Sequence, residues 1–418
     1  MRALSWLKDL ISSERGNVLV IGALSMPLVI GAAGVAVDSI NLTVARRQLQ
    51  RTADSSALAG AYAIVQTQTV TTAVNRDLAL NDDLPLATTK IENAPTVGTY
   101  KNDTSAVRVV LTTARQTPFM AFFTKKTPVL EAEATAAVVF TGKFCMVSLE
   151  DGNAAAGVTF TGSSTVDLGC GVATNSRATT AIAAGGSSTV IASPIAAMGG
   201  VPSSTSYATG TRLLPYSAKQ VDPYAGLPVP NISAMDCTAS LKVQPNDALT
   251  TRLPGCYRDI DIKGRVNLAP GTYYVNGDTG AFSAGSQANI SGTGVTIVLT
   301  SKTGTPASIA TLGINGGAQL NLSAPTDGVY GGILMYQDPR ATLGNSISIN
   351  GNSLTSYEGG FYFPRAYMTF NGNTGMHTEC LQLVARRLTF SGNSSVSNTC
   401  PANSASKAFD ASFVRLVG

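Results

Sequence analysis

The chain has 418 residues, and charged residues make up only 13% of it, well under the ~25% of an ordinary soluble domain. Its formal net charge of +4 comes from scattered basic residues, which argues against a nucleic-acid partner. The length allows two or three domains. The 41 glycines and the long Ser/Thr/Asn-rich runs are typical of a secreted or surface-exposed β-rich protein.

The N-terminal region contains one long uncharged segment, Val18–Val37, preceded by an amphipathic tail, Met1–Glu14. A helix of these 20 residues, at ~1.5 Å per residue, spans the ~30 Å hydrocarbon core of a bilayer. Pro27 lies inside it and is tolerated better in a membrane helix than in a soluble one. Because the helix-compatible stretch Asp38–Val65 follows directly, the sequence favours a retained single-pass anchor over a cleaved signal peptide.

Beyond the anchor, small and apolar residues recur at helical spacing. They are Ala45, Leu49, Ala53, Ala57, Ala61 and Ile64. Small side chains four residues apart let another helix approach closely. This stripe predicts either helix packing within an assembly or packing against the protein's own domain.

Changes of composition divide the chain into three regions: 1–65, 66–141 and 142–418. In the second region we predict a strand over Ala106–Thr112, a short helix over Pro118–Phe123 and a returning strand over Val129–Phe140. That region is therefore expected to be a small α+β, membrane-proximal unit. Lys125 and Lys126 form the densest basic spot after the anchor and are interpreted as a solvated turn.

From about Gly142 onward, one pattern recurs: an apolar residue, a small polar residue, Gly, and then a small residue or Asn. It begins at Phe160, Ile290, Ile314, Ile349, Phe370 and Phe390. The last five are separated by 24, 35, 21 and 20 residues, and one turn of a parallel β-solenoid takes about 20 to 25. The third region is thus predicted to be a right-handed, parallel β-solenoid-like domain. The chain as a whole is then mainly β with an N-terminal transmembrane α-helix, and an antiparallel sandwich is the alternative.

Eight prolines lie between Ser193 and Tyr257 and argue against regular structure there. We interpret residues 193–257 as a long excursion that covers one face or edge of the solenoid. Cys237 and Cys256 would staple it.

The six cysteines fall into three local pairs, and none forms the CxxC motif of zinc or thioredoxin-like chemistry. The pairs are Cys145–Cys170, Cys237–Cys256 and Cys380–Cys400. An even count beyond the apolar segment favours disulfides in an oxidising compartment, although other connectivities stay open. Since the basic residues flanking the anchor balance, the cysteines decide the orientation. They predict a cytoplasmic N-terminal tail, with everything after Asp38 outside.

Extracellular β-solenoids include polysaccharide-acting enzymes, and glycoside hydrolysis needs two facing carboxylates. The one close pair is Asp259 and Asp261, and a solvated strand edge is the simpler interpretation. The single histidine, His377, offers little basis for a His-containing triad or metal site. We expect a non-enzymatic protein without a catalytic site, cofactor or metal.

An aromatic cluster lies in the last part of the third region. It comprises Phe361, Tyr362, Phe363, Tyr367 and Phe370. Alternation along a strand places Phe361 and Phe363 inward and Tyr362 outward. The cluster predicts a stacked aromatic core or, alternatively, a strip that stacks on a sugar or a partner.

The N-terminal residues also carry a family resemblance. The segments concerned are Arg15–Val18, Pro27, Gly34–Asp38, Ala45–Gln50 and Ala53–Ala61. Together they resemble the N-terminal region of TadG-like proteins of the Flp/Tad pilus-assembly system, over roughly Glu14–Ala63 and more loosely to Phe140. The resemblance implies a bacterial, single-pass inner-membrane protein with a periplasmic or surface domain. It also implies a role in pilus biogenesis, adherence or biofilm formation.

The partners implied are membrane-embedded Tad pilus-machinery proteins and pseudopilins, beside the lipid bilayer and a surface or polysaccharide ligand. TadG-like proteins often continue into a von Willebrand A domain, but Asp38-Ser39-Ile40-Asn41 resembles its metal motif only superficially. We therefore expect a β-rich tail in place of that domain.

Pseudopilins are cleaved after Gly and carry Glu early in the mature chain. Ile21 stands at that place after Gly16, so no such cleavage is predicted. The alternatives are a pilus-independent envelope scaffold or adhesin, and a polysaccharide-acting β-helix enzyme.

Overall fold

The computed structural model of the chain describes residues 14–81, 84–351, 354–372, 376–393, 395–398, 404 and 408–418. These residues form two compact units. The first runs up to Val139 and includes Val414–Gly418, and the second is Phe140–Phe413. The sequence prediction for Cys400 lies outside the described residues, and so do those for Met1–Ser13.

The first unit combines two helices with an antiparallel sheet. Its elements are α1 (Glu14–Val65), α2 (Val70–Leu80), β1 (Thr88–Asn93), β2 (Ala106–Ala114), a 3₁₀ turn (Met120–Phe122) and the first part of β3 (Val129–Ser148). β2 pairs with both β1 and β3, so it is the central strand. The predicted strands of this region are β2 and the start of β3. The short helix expected over Pro118–Phe123 is a single 3₁₀ turn with no buried residue.

The second unit consists of short strands joined by corners and loops. They are β4 (Val158–Phe160), β5 (Thr165–Asp167), β6 (Gly171–Thr174), β7 (Ile182–Ala184), β8 (Thr189–Ile191), β9 (Ile195–Ala197), β10 (Leu213–Leu214), β11 (Ser240–Val243), β12 (Thr250–Arg252), β13 (Gly255–Tyr257), β14 (Asp259–Ile262), β15 (Arg265–Leu268), β16 (Gly271–Asn276), β17 (Phe282–Ala284), β18 (Asn289–Gly292), β19 (Val295–Thr300), β20 (Leu312–Ile314), β21 (Gln319–Ser323), β22 (Ile333–Gln337), β23 (Ser346–Gly351), β24 (Ser356–Gly372), β25 (Met376–Gly392), β26 (Ser395–Asn398) and β27 (Phe409–Leu416), the last of which continues into the first unit.

Strand pairing in the second unit is largely parallel, and most strands pair with the strand three places later in the chain. The succession β11, β14, β17, β20, β23 follows this rule, as does β12, β15, β18, β21, β24. β13, β16, β19 and β22 form a third succession that also ends on β24. The body is therefore a mostly β, largely parallel-sheet structure. The antiparallel-sandwich alternative is wrong, because it requires neighbouring strands to run in opposite directions.

The recurring apolar residues line up across successive strands. Ile314 pairs with Ile349, Ile349 with Phe370, Phe370 with Phe390, and Phe390 with Phe160. Each is buried, and the rings of Phe370 and Phe390 are stacked, with centroids 5.0 Å apart and planes nearly parallel at 7°. Five of the six pattern positions thus form one apolar column. The sixth, at Ile290, stands in a different column, beside Val266 and Leu320.

The spatial order of the strands differs from their order in the chain. β3 pairs with β6 on one side and with β25 on the other. The chain therefore builds outward from β3 as far as β10, then restarts at β11 and approaches β3 from the opposite side. The last long strand consequently lies against the first.

A cluster of ion pairs fastens β25 to the end of β3. The buried carboxylate of Glu150 accepts hydrogen bonds from Arg386 at 2.9 Å, from Arg387 at 2.6 Å and from the Gly152 N–H at 2.8 Å. Burial alone raises the pKa of Glu150. The Gly152 N–H and the two guanidinium groups outweigh that effect, so the pKa lies below its ordinary value.

The proline-rich segment between Ser193 and Tyr257 corrects one expectation. It contains five short strands, β9 to β13, and all eight prolines lie outside them, four in the turns and loops next to these strands and four in residues 215–239. Proline is tolerated there because a corner requires no ladder N–H. The longest part of it without a strand is residues 215–239, here called the connector.

The connector follows one side of the strand stack. Asn175, just after β6, exchanges hydrogen bonds with Gln220 of the connector at 2.8 and 2.9 Å. Further along, Tyr224 donates to Gln382 of β25, and Pro228 accepts from Tyr336 of β22. The connector thus runs along the stack from β10, where the first part of the stack ends, to β11, where the second part begins.

We predict that stability of the second unit falls in acid through Glu150. A lowered pKa means that this carboxylate contributes stability above its ordinary value of 4.5, and that the contribution is lost as the pH falls through the lowered value. Glu150→Gln should cost roughly 1–3 kcal/mol at neutral pH. Scanning calorimetry should show the Tm difference from wild type shrinking below pH 4.5. Asp327→Asn, at an exposed loop carboxylate, is the control, and a pH-independent difference for Glu150→Gln would contradict the prediction.

Candidate functional site

The first half of α1 has the properties of a membrane-spanning helix. α1 is 52 residues long with Pro27 inside it, and among the described residues it is the one helix long and apolar enough to cross a bilayer. Its apolar side chains are exposed from Ile21 at 65% to Ile30 at 57%. An apolar surface of this length left uncovered by protein fits a single-pass membrane anchor.

The second half of α1 packs against the sheet of its own unit. Of the six stripe residues, Ala45, Leu49, Ala53, Ala57 and Ala61 are at most 1% exposed, and Ile64 is half-buried. From Leu49 onward they contact the inward residues of the sheet, such as Val107 and Val109. Of the two alternatives for the stripe, packing on the chain's own domain is the one seen.

Small residues bring the helix close to the sheet and to α2. A Cβ placed on Gly60 would lie 2.8 Å from Cγ1 of Val107 and 3.0 Å from Cγ2 of Val74. Ser55 and Ser56 donate hydrogen bonds to the two carboxylate oxygens of Asp77 in α2, at 3.0 and 2.9 Å. Larger side chains on this face would separate the two helices.

Asp38, directly after the uncharged segment, holds a loop that the sequence analysis did not place beside it. Its side chain is 1% exposed, and its Oδ2 accepts the N–H groups of Phe119 at 2.9 Å and Met120 at 2.7 Å. These are unpaired donors at the start of the 3₁₀ turn, which a carboxylate satisfies well. One signal in the sequence pointed to this contact. Pro118 is a common first residue of a helical turn, and that turn has no capping side chain of its own.

Two of the three predicted cysteine pairs are disulfide-bonded. Cys145 and Cys170 have Cα atoms 5.9 Å apart, and Cys237 and Cys256 have Cα atoms 4.7 Å apart. Cys380 is buried and also disulfide-bonded, whereas its predicted partner lies outside the described residues. The first bridge joins β3 to the start of β6, and the second joins the connector to β13.

The aromatic cluster belongs to the interior. Phe361, Phe363 and Phe370 are at most 1% exposed and lie in the main hydrophobic core. Tyr362 points away from that core, but the connector covers it, and its hydroxyl donates to Asp222 at 2.9 Å. Burial raises the pKa of Asp222 above its ordinary value. Tyr367 is half-buried under the guanidinium of Arg387, 4.4 Å from the ring centroid.

The carboxylates considered for catalysis form ion pairs at the surface. Asp259 lies 3.6 Å from Lys242, and Asp261 lies 3.3 Å from Lys263. Within the part of the chain that the structure describes, no group of three or more His, Cys, Asp or Glu side chains is placed to hold a metal ion. The side chain of His377 is outside what the structure describes.

A cleft of about 760 Å³ opens beside the connector. Its walls are connector residues 228–231, the corner that starts β16, and the loop between β21 and β22. Tyr274 and Tyr330 line it together with the exposed side chains of Val229 and Val329. Its lining combines these aromatic and apolar side chains with the polar side chains of Asn231, Thr326 and Asp327.

Residues 16–63 match the model of a family described as "Putative Flp pilus-assembly TadE/G-like". The resemblance predicted over roughly Glu14–Ala63 is confirmed for this segment, which includes the apolar half of α1 and five of the six stripe residues. No curated protein and no solved structure matches the chain.

We predict that Gly60→Val destabilises the first unit by roughly 1–3 kcal/mol, because the added carbons overlap Val107 and Val74. Gly31→Val is the matched control. It carries the same β-branched cost within the same helix, but a Cβ there meets nothing within 4 Å. Scanning calorimetry in detergent should show a lower Tm for Gly60→Val only, and equal shifts for both variants would contradict the packing argument.

Proposed function

We propose that the protein is a membrane-anchored component of a bacterial Flp/Tad-type pilus-assembly system, acting in pilus biogenesis, surface adherence or biofilm formation. The observation that carries the proposal is the TadE/G-like match over residues 16–63. That match lies on a helix whose apolar half is free to enter a bilayer. The family association supports membrane-associated pilus machinery as the partner.

We further propose that α1 crosses the bacterial inner membrane, with the N-terminal tail in the cytoplasm and the bulk of the chain periplasmic or surface-exposed. Two disulfides in the second unit support this orientation, since thiols stay reduced in the cytoplasm.

In this proposal the second unit is a non-enzymatic β-solenoid that serves as a structural or adhesive module. Parallel pairing between strands three apart supports one turn for every three strands. The tyrosine-lined cleft beside the connector supports a surface or polysaccharide ligand. The ion-paired Asp259 and Asp261 favour this role over a glycosidase, whose carboxylates have to face each other across the substrate.

Packing within the chain leaves the first half of α1 uncovered for the membrane partners. The stripe from Ala45 to Ala61 is already covered by the sheet, so it is not available to them. Gly22 and Gly31 face open space in the apolar half of α1. Small residues let a second transmembrane helix approach closely, so we assign pseudopilin or platform helices to this half.

The first test is to shear pili from intact cells and probe the sheared and membrane fractions for this protein. A strain lacking the protein is expected to lose pili or attachment. Full piliation and normal attachment in that strain would contradict the proposal. Recovery in sheared filaments, lost when the major pilin is absent, would identify a pilus component. Retention in the membrane would identify a part of the assembly platform.

Orientation is tested by the oxidation state of the cysteines in living cells. We expect Cys145–Cys170 and Cys237–Cys256 to be oxidised when cells are lysed in a thiol-blocking reagent and the peptides are identified by mass spectrometry. Quantitative alkylation of these four cysteines would place the second unit in the cytoplasm and reverse the orientation.

A further inference from the structure

The hairpin connection between β2 and β3 exposes aromatic side chains to an unusual extent. Ala114 and Val129 are the last paired residues, so the connection is residues 115–128. Phe122 is 87% exposed and Phe123 is 75% exposed, and Phe119 is 39% exposed. Three phenylalanines on one short loop present far more apolar surface than a hairpin in water needs.

This loop is fixed at the boundary of the membrane-spanning segment. Asp38, the first charged residue after that segment, accepts the N–H groups of Phe119 and Met120. The ring of Phe119 packs on Gly34, where any Cβ would overlap it. Gly34 precedes Asp38 by four residues, so the ring lies about 6 Å further toward the bilayer than the carboxylate.

The opposite end of the first unit also exposes an apolar residue, but that end lies away from the membrane-spanning segment. Val97 is 51% exposed in the loop between β1 and β2, the end at which Val107 contacts Gly60. Gly60 is 26 residues beyond Gly34, or about 39 Å along α1. Val97 is therefore a matched apolar position far from the bilayer.

Charge at the loop fits an anionic lipid surface. Lys125 and Lys126 follow Phe123 after a single residue, Thr124, and both are exposed. Apolar rings followed by lysines are the arrangement by which a segment lies in the interface, with its rings among the acyl chains and its ammonium groups at the phosphates.

We propose that Pro118–Lys126, the interfacial loop, is a second membrane contact of this protein. Phe122 and Phe123 enter the boundary between headgroups and acyl chains, and Lys125 and Lys126 bind anionic headgroups. With α1 as the first contact, the loop fixes the rotation and depth of the helix. The occupant is the lipid bilayer, and the inference requires only that α1 spans it.

The test uses the full chain in lipid vesicles, with one tryptophan per variant. Trp6 is the single native tryptophan, so Trp6→Phe provides the background. Phe122→Trp and Phe123→Trp report on the loop, Val97→Trp is the matched negative control, and Leu28→Trp in the anchor is the positive control. Each protein is placed in lipids brominated either near the headgroup or near the end of the acyl chain.

We expect headgroup-proximal bromine to quench both loop tryptophans several-fold more than Val97→Trp, and chain-end bromine to quench Leu28→Trp most. Quenching of Leu28→Trp without quenching of the loop would overturn the proposal and assign the rings to water or to a protein partner. Absence of quenching at Leu28 would overturn it together with the membrane anchor itself.

A second comparison isolates the lysines. Adding anionic lipid is expected to increase quenching at Phe122→Trp, and Lys125→Ser with Lys126→Ser should abolish the increase. The same response in the lysine variant would overturn the headgroup contact. Val97, Phe122, Phe123, Leu28, Lys125 and Lys126 are all exposed, so their substitution opens no cavity, and circular dichroism of each variant confirms folding.

Discussion

Parallel hydrogen bonding between β25 and strands β3 and β4 is the contact that completes the second unit. It joins residues as distant in the chain as Ser148 and Arg386, which are 238 positions apart. Without it, β3 and β25 would each expose an unpaired strand edge in the middle of the stack. The Phe370–Phe390–Phe160 column and the Glu150 ion pairs both lie at this junction, so apolar stacking and buried charge support the same contact. The contacts at this junction therefore offset the entropic cost of bringing two segments so far apart in the chain together.

The connector follows from that arrangement. A chain that builds outward from β3 and later approaches β3 from the opposite side needs a segment that runs back along the stack, and residues 215–239 are that segment. Its contacts with Tyr362, Gln382 and Tyr336 are polar and buried, and burial raises the pKa of Tyr336 to about 12. Buried polar pairs add little net stability. They do disfavour any other position of the connector along the stack, because a shifted connector would leave buried polar groups without hydrogen-bond partners. The connector is thus held in one register, which in turn forms a wall of the tyrosine-lined cleft.

Local patterns in the sequence predicted what depends on local spacing. The apolar columns, two of the disulfides and the buried helix stripe all follow from periods or separations of a few to about 25 residues. The insertion of β25 beside β3 did not follow, because every parallel edge in such a stack presents the same N–H and C=O groups and the sequence marks no preferred neighbour. The proline count exaggerated the irregular segment, since prolines at corners and prolines in a connector look alike. Asp38 was likewise missed as a cap, because its backbone partners lie 81 and 82 residues away.

Helix α1 has two different environments along its length. Before Asp38 its apolar side chains are exposed, and after Ala45 the inward face is closed by the sheet. An exposed leucine in the first half is compatible with lipid, whereas the same exposure in the second half would be a packing defect. Asp38 marks the change by holding the loop that carries Phe119 against Gly34. The family match over residues 16–63 covers both halves and this boundary. The matched segment therefore contains more than an apolar stretch: it also contains Asp38, which holds the loop, and the helix face that packs on the sheet.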